Sequence, residues 1–279
     1  MAIHGGAKGV VDGVSAVRNW QISDDGQLSR FVNSATALGS GRRKGIQQWN
    51  GNYACHGAVP AHFPGEFFTF LGYTAPDDNV SGVGLTYGGE AVVDAIGINW
   101  DWASGNVIEH SLGFSGHLAL TATAADTEVL DATVSDPEPV GVTKIAYSAN
   151  GSDFTDLTDL TQASLQIQAA NSSYVNSSTA SGTGRIAGPI DWTASINIES
   201  SVMGHGLTKF NDYVWRFYVT ATTYYELKWG QVKGYTGLVI NPETGQVISH
   251  TINIEMNATK SAALGFIKKP GAVTWWPAS

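Results

Sequence analysis

The chain has 279 residues, of which 43% are hydrophobic, enough to fill one or two ordinary globular cores. Its net charge of −9 excludes a protein that binds nucleic acid mainly by neutralising phosphates. The single cysteine, Cys55, excludes an internal disulfide, and no apolar run approaches the length of a membrane span, so we expect a protein that folds in a reducing cytoplasm.

Short strands and turns are predicted along the chain, because small polar, aromatic and glycine residues dominate it and helical periodicity is scarce. A first strand is predicted from Val14 to Ile22, ending at a turn over Asp24 to Gly26. The segment from Gly39 to Gly45 is rich in glycine and is predicted to be an extended, adaptable loop. Further strands are predicted over Trp49 to Cys55, Glu66 to Ala75, Val83 to Trp102 and Asn106 to Ala122.

An acidic segment with two prolines, Asp131 to Gly141, is predicted to link two halves of the chain. The predicted strands that follow it are Lys144 to Ser148, Ser164 to Ala170, Ser195 to Glu199, Tyr213 to Ala221, Tyr225 to Trp229, Thr236 to Ile240 and Gln246 to Met256. The last three alternate polar and apolar residues, which predicts an antiparallel meander with one dry face. The tail carries Trp275 and Trp276, and we expect it to fold back on the body or to contact a neighbour.

One stretch of sequence occurs twice. Phe31 to Trp49 and Tyr174 to Trp192 are identical at ten of nineteen positions without a gap, at an offset of 174 − 31 = 143. A second pair of segments, Ile96 to Phe114 and Thr236 to Ile254, shares a Gly-x-Val-Ile-x-His pattern at an offset of 140. These matches indicate an internal duplication, with one copy in residues 1–139 and the other in residues 140–279.

Charge is shared unevenly between these two halves. Residues 1–139 contain 6 basic and 15 acidic residues, 6 − 15 = −9, whereas residues 140–279 contain 9 of each, 9 − 9 = 0. An acidic surface of this kind suits a passage through which DNA slides without sticking. Ordinary charge for solubility explains it equally well.

The order of these elements resembles one family. A first strand is followed by a long polar loop that ends in Gln48-Trp49 or Asp191-Trp192, and then by a short segment led by Pro64-Gly65-Glu66 or Lys209-Phe210-Asn211-Asp212. The closing meander reads Y-E-L-K-W-G-Q-V-K-G-Y-T-G-L-V-I-N-P-E-T-G-Q-V-I-S-H-T-I-N-I-E-M-N from Tyr225 to Asn257. This succession, over most of both halves, resembles the tail tube (major tail) proteins of long-tailed bacteriophages.

The resemblance implies a mainly β fold, with two tandem tail-tube-like β-sandwich or barrel domains that each have at most a short helix. In that family the inner sheet of each subunit joins those of its neighbours into one barrel around a channel. The usual subunit has one such fold and forms rings of six. A chain with two folds would therefore form homotrimeric, pseudo-six-fold rings, and closing the barrel removes exposed strand edges.

The same resemblance implies a structural virion protein whose rings stack into a tube in the host cytoplasm. A tape-measure protein and the tail terminator and tip proteins are the expected partners, DNA passes through transiently, and neither a membrane nor a cofactor is expected. Because the family's long loop reaches the adjacent ring, the candidates for contacts between rings or subunits are Asn33, Gly39, Gly41, Arg42, Arg43, Lys44, Asn176, Gly182, Gly184 and Arg185. The candidate channel-lining acidic residues are Asp94, Asp101 and Glu109, while Trp49 and Trp192 are expected in the core.

Motifs that would indicate an enzyme or a metal site are weak. Residues 39–45 lack the Gly-Lys-Ser/Thr order of a phosphate-binding loop, and Cys55, His56 and His62 lack a second pair of ligands at metal spacing. We therefore expect no catalytic activity and no bound metal. Two alternatives stay open: a carbohydrate-binding β-sandwich that uses exposed Trp and Tyr, and another virion component such as a capsid decoration protein.

Overall fold

The structure is a computed structural model, and it describes residues 10–11, 14, 16–32, 40–57, 59–73, 84–125, 140–179, 182–238, 248–260, 267–271 and 275–276. Within these residues the chain forms strands and short 3-10 turns, without an α-helix. The prediction of a mainly β fold is therefore confirmed. The 3-10 turns are Val140–Val142, Ser177–Thr179, Met203–Gly206 and Ala258–Lys260.

Most of the strands belong to one large antiparallel sheet. The strands of the first half are β1 (Val10–Val11), β2 (Val17–Phe31), β3 (Gly41–His56), β4 (Phe67–Tyr73), β5 (Gly84–Asp101) and β6 (Glu109–Ala125). The strands of the second half are β7 (Ile145–Ser148), β8 (Thr155–Asp156), β9 (Leu160–Ala169), β10 (Ser172–Tyr174), β11 (Gly184–Ile186), β12 (Ile190–Glu199), β13 (Asp212–Tyr218), β14 (Tyr224–Thr236), β15 (Ser249–Met256), β16 (Ile267–Lys268) and β17 (Trp275–Trp276). Only β10 and β11 lie outside the large sheet and pair with each other.

Strand order repeats between the two halves. The first half pairs in the order β2-β3-β6-β5-β4, and the second half pairs in the order β9-β12-β15-β14-β13. The registers repeat as well: Asn50 pairs with Ser115 on β3 and β6, and Thr193 pairs with Glu255 on β12 and β15, at the same sequence offsets of 143 and 140. The equivalent residues of β3 and β12 therefore occupy the same place in the sheet, whereas Gly41 begins β3 and its counterpart Gly184 begins the separate β11.

Two local predictions in the first half are wrong. Asp24 to Gly26 do not form a turn, because β2 continues through them opposite Gln47 to Trp49. Gly41 to Gly45 do not form a loop either; they begin β3 and pair with the end of β2. Cross-strand backbone hydrogen bonds along this long hairpin hold glycine in an extended conformation that its own propensity disfavours.

In each half, one strand packs across one face of the other strands, and the core lies between them. This strand is β4 in the first half and β13 in the second. In the first half, Phe70 of β4 contacts Trp49 of β3 and Phe114 of β6, with ring centroids 6.2 and 4.8 Å apart. In the second half, Trp192 and Trp215 meet at Gly230, whose carbonyl accepts a hydrogen bond from the Trp215 Nε1–H at 3.0 Å. Both repeated tryptophans are fully buried, which confirms their prediction as core residues.

The end of the chain folds back on the body. β16 pairs with β14 and with β17, and the Lys269 ammonium forms an ion pair with Glu66 in the first half. Glu66 also accepts a hydrogen bond from the Phe63 N–H at 2.9 Å. Of the two placements expected for the tail, its described residues thus adopt the fold-back one.

A substitution at Gly116 on β6 tests the packing of the core in the first half. A Cβ at this position would overlap the Trp49 indole, whereas a Cβ at Gly113, on the same strand, would meet no atom within 4 Å. We expect Gly116→Ala to lower the free energy of unfolding by about 1–3 kcal/mol, since the buried indole has to move. Gly113→Ala is the matched control and should change it by less than about 0.5 kcal/mol. Equal stability of the two variants in urea denaturation would contradict this packing.

Candidate assembly interface

One face of the large sheet is open and carries mostly uncharged polar side chains. Side chains alternate along each strand, so that apolar residues point to the core and their neighbours point to this open face. Representative residues on it are Gln21, Asn50, Asn52, Asn99, Ser111, Ser164, Gln166, Ser195, Asn197, Thr251 and Asn253. Amide and hydroxyl groups therefore cover strands from both halves.

The three candidate acidic residues all lie on this open face but do not form one cluster. Glu109 pairs with the Arg18 guanidinium. Asp94 accepts hydrogen bonds from the Ser115 hydroxyl at 2.6 Å and from the Asn171 amide at 2.9 Å. Asp101 accepts from the Ser104 N–H at 3.2 Å, and hydrogen bonding to Ser104 lowers the pKa of this carboxyl group. Of the three, Glu109 is offset by its ion pair with Arg18.

A groove of about 510 Å³ runs along the open face of the second half. Ser164, Gln166, Ser195 and Asn253 line it, and Lys233 and Glu255 form an ion pair at its side. No aromatic side chain lines this groove. Stacking of a sugar ring, on which the carbohydrate-binding alternative depends, has no platform there.

Among the described residues, one continuous ladder joins strands of the two halves, between β5 and β9. Seven residue pairs form it, from Ala95 opposite Gln168 to Asp101 opposite Gln162. Asn171, just beyond β9, donates to the Val93 carbonyl and to Asp94, both at 2.9 Å. Continuous backbone pairing of this length makes one sheet from two sets of strands.

The hairpin of β10 and β11 strengthens this junction. Thr183, just before β11, inserts between β3 and β6: its N–H donates to the Gln47 carbonyl at 3.2 Å, and its carbonyl accepts from the Leu118 N–H at 2.9 Å. The Arg185 N–H donates to His117 Nδ1 at 2.9 Å. Gly182 lies so close to Leu118 that a Cβ there would overlap its backbone.

The predicted contact residues therefore have different surroundings. Gly182 and Arg185 contact the first half, whereas Gly184 pairs with Tyr174 inside the hairpin. Asn176 caps the adjacent 3-10 turn by accepting from the Ser178 N–H at 2.9 Å. Gly41, Arg42, Arg43 and Lys44 lie on β3, where Arg42 is exposed. Asn33 and Gly39 lie outside the described residues.

Two of the sheet edges that are unpaired among the described residues lie on strands of the open face, β2 and β14; β8, at the other end of the strand order, is a further edge. β2 is the last strand of the order, so its outer side has no neighbouring strand along Val17–Phe31. The end of β14, from Gly234 to Thr236, pairs with β15 on one side only. Exposed edges of this length are templates for pairing with another strand.

Sequence reasoning identified Asp94 but missed Lys233, its counterpart in the second half. Both β5 and β14 contain a bulge at the same position: Asp94 bulges between Val93 and Ala95, and Lys233 bulges between Val232 and Gly234. Their partners also correspond, because Asp94 contacts Ser115 and Lys233 contacts Glu255. The offset of 140 links Ser115 to Glu255 in the sequence, but β14 lies at an offset of 233 − 94 = 139 from β5, on both sides of the bulge, and this difference hides the match.

Neither family models nor curated protein sequences match this chain. Among the described residues, no helix is long and apolar enough to cross a membrane. The described His, Cys, Asp and Glu side chains form no group of three that could hold a metal ion. The assignment of a function therefore depends on the geometry of the sheet edges and on the resemblance seen in the sequence.

Two buried histidines hold equivalent loops beside these strands. His110 on β6 contacts the Gly57 carbonyl through Nδ1 at 2.7 Å, and His250 on β15 accepts from the Gly204 N–H through Nε2 at 2.8 Å. Burial lowers the pKa of His110 below its ordinary value. The folded protein therefore binds fewer protons at this site than the unfolded chain does, so its contribution to stability is lost as the pH falls below about 6.5.

Through His110, the free energy of unfolding of the wild type should fall between about pH 7 and pH 5, by up to about 1.4 kcal/mol per pH unit. We expect His110→Asn to remove this part of the fall. The measurement is urea denaturation at several pH values. His205→Asn, at a partly exposed position, is the matched control and should keep the wild-type slope. An unchanged slope in His110→Asn would show that this histidine is not kept neutral by the fold.

Proposed function

We propose that this chain is the repeating structural subunit of a phage tail tube, in which copies join edge to edge into rings. The observation that carries the proposal is that the two unpaired edges match the two sides of the β5–β9 junction. β2 corresponds to β9, and the end of β14 corresponds to the end of β5. The junction made once inside the chain can therefore be made again between chains.

Repeated strand order supports two tandem tail-tube-like domains in residues 1–139 and 140–279. The order β2-β3-β6-β5-β4 recurs as β9-β12-β15-β14-β13, together with the registers and the bulge. A contact between unlike edges of such a repeat is heterologous, and it gives a closed ring when the rotation per unit divides a full turn. A ring of this kind leaves no free edge to aggregate.

The in-chain junction specifies the register between chains. Ala95 pairs with Gln168 and Gly97 pairs with Gln166 inside the chain. Transferring these pairs by offsets of 139 on β14 and 143 on β2 places Gly234 opposite Asp25 and Thr236 opposite Ser23 of the next copy. The β2 residues are exposed and extended, as an incoming strand requires.

Charges at the two edges are complementary. Lys233 bulges from the β14 edge beside the position that Asp25 of the next copy would occupy, and Asp25 is exposed. Asp24 occupies the core-facing position that Ile167 has in the second half, and it accepts a hydrogen bond from the Gln47 amide at 2.6 Å. An inward-pointing charge of this kind disfavours pairing with unrelated strands and so makes the edge selective.

Eight strands of each chain would line the ring: β2, β3, β6, β5, β9, β12, β15 and β14. Three chains then give a barrel of 3 × 8 = 24 strands, more than the roughly 16–18 strands that enclose an aqueous channel in porins. With the core on the outer side, the open polar face lines the channel. Neutral amides and hydroxyls with a few carboxylates hold no phosphate tightly, so DNA stays mobile.

Stacked rings would form the tail tube of a virion assembled in the host cytoplasm. The channel would hold a tape-measure protein before DNA ejection, and terminator and tip proteins would close the two ends. A capsid decoration protein would not need the open polar face to line a channel. The carbohydrate-binding alternative needs exposed aromatic residues, and its candidates are Trp20 and Tyr87, which are half-buried and line a groove of about 480 Å³.

A charge exchange at the proposed junction tests this function. We expect wild-type protein to form rings with three chains per layer, measured by native mass spectrometry and negative-stain microscopy. Asp25→Lys should weaken each of the three junctions by about two- to fivefold, because each loses about 0.5–1 kcal/mol of charge attraction. Adding Lys233→Glu should restore part of the loss.

The control variant is Asp153→Lys, which reverses an exposed charge in the turn before β8 and should assemble like the wild type. If wild-type protein stays monomeric at high concentration, the tube proposal is wrong. If rings form but Asp25→Lys assembles normally, the chains join through other edges.

A further inference from the structure

The position that Thr183 fills in the first half has an unfilled counterpart in the second half. Pairing between β3 and β6 stops at Asn50 and Ser115, and Thr183 bridges Gln47 and Leu118 just beyond that point. Pairing between β12 and β15 stops at the equivalent residues, Thr193 and Glu255. The equivalents of Gln47 and Leu118 are Ile190 and Ala258. Among the described residues, no backbone group bridges Ile190 and Ala258.

The residue equivalent to Thr183 is Ser40, at the end of the β2–β3 hairpin. The two hairpin ends have the same register. Ser172 pairs with Ile186 and Tyr174 pairs with Gly184 in the second half. Ser29 pairs with Arg43 and Phe31 pairs with Gly41 in the first half, at an offset of 143 on both strands. Ser40 is half-buried and directly precedes β3, as Thr183 directly precedes β11.

The two hairpins differ in where they point. In the second half, the chain breaks away from β9 and β12 around Asn171 and Pro189, where Asn171 Oδ1 accepts from the Gly188 N–H at 3.1 Å. This break lets the hairpin fold across onto the first half. At the equivalent place in the first half, a bulge lies between Gly26 and Leu28, and the hairpin continues in line with β2 and β3. A bulge bends and twists a strand pair, so it is the natural place for this hairpin to bend.

The receiving surface offers groups of the right kind. Leu118 and His117 supply a backbone N–H and a side-chain acceptor to the hairpin in the first half. Their equivalents are Ala258, which is exposed, and Asn257, whose amide oxygen accepts from the Thr259 hydroxyl at 2.7 Å and from the Thr259 N–H at 3.3 Å. An incoming N–H would replace the longer of these two bonds. Met256 replaces Gly116, whose carbonyl accepts from Arg185 Nε at 3.3 Å, and a backbone carbonyl is present at either residue.

We propose that the β2–β3 hairpin clasps a second copy of this chain, with Ser40 inserted between Ile190 and Ala258 of that copy. The clasp lies on the same junction as the β14–β2 pairing and therefore rests on the proposed function. It follows the geometry of Thr183, in which one residue donates to one strand and accepts from the other. The hairpin thus joins neighbours within a ring rather than reaching the adjacent ring.

Paired cysteines test the clasp. Ser40→Cys with Ala258→Cys should form disulfides between chains under mild oxidation, giving covalent dimers and trimers on non-reducing gels. Leu118→Cys with Thr183→Cys is the positive control and should crosslink within one chain, because those residues form the in-chain bridge. Ser40→Cys with Ser152→Cys, which places the second thiol on a distant exposed turn, should give no specific product.

Ring formation, followed by native mass spectrometry, separates the possible outcomes. Rings without the Ser40–Ala258 crosslink would overturn the clasp and leave the tube proposal intact. Monomers without a crosslink would overturn both. A crosslink within one chain in dilute monomer would also overturn the clasp.

A second variant needs no oxidation. Ala258→Arg fills the receiving gap and should raise the protein concentration needed for assembly by about tenfold, because the two backbone hydrogen bonds of the clasp are lost. Its thermal unfolding as a monomer should be unchanged, since Ala258 is exposed. Ala221→Arg, at an exposed position in the turn between β13 and β14, is the control. Normal assembly of Ala258→Arg would contradict the clasp.

Discussion

Backbone hydrogen bonding at the edges of the sheet determines how the two halves of this protein join. Each strand presents a row of N–H and C=O groups that is costly to leave without a partner, and the chain completes this pairing across its own two halves through β5 and β9. The same two edges recur, unpaired, on β2 and at the end of β14. Because the two open edges match the two edges that pair at the β5–β9 junction, they can pair in the same way between chains. The duplicated sequence thereby leads to the proposed ring.

Close packing in the two cores restricts how far this sheet can bend. Trp49 and Trp192 occupy equivalent positions, and each takes the space left by a glycine, Gly116 in one half and Gly230 in the other. Because a large indole fits only where the facing residue has no side chain, the curvature of each half is fixed by its packing. Stiff halves hold their edges in the geometry that a neighbour needs.

Much of the fold follows from the sequence, and the failures have physical causes. Period-two alternation predicted most strands, and matches at fixed offsets predicted the repeat that the strand order shows. Gly41 to Gly45 were predicted to belong to a loop, because local residue propensities take no account of the hydrogen bonds that this segment makes with β2. The β5–β9 junction and the bulges at Asp94 and Lys233 depend on long-range register, which no local pattern encodes. Asp94, Asp101 and Glu109 were predicted to line a channel, and the ion pair of Glu109 with Arg18 was not predicted, because the two residues lie 91 positions apart in the sequence.

Electron cryomicroscopy of the assembled protein tests the central claim most directly, since it shows which strands meet between chains. The account predicts a closed barrel in which β14 of one copy pairs antiparallel with β2 of the next, with Thr236 opposite Ser23 and the polar face toward the channel. A ring joined through other strands, or one with the polar face outward, would contradict it.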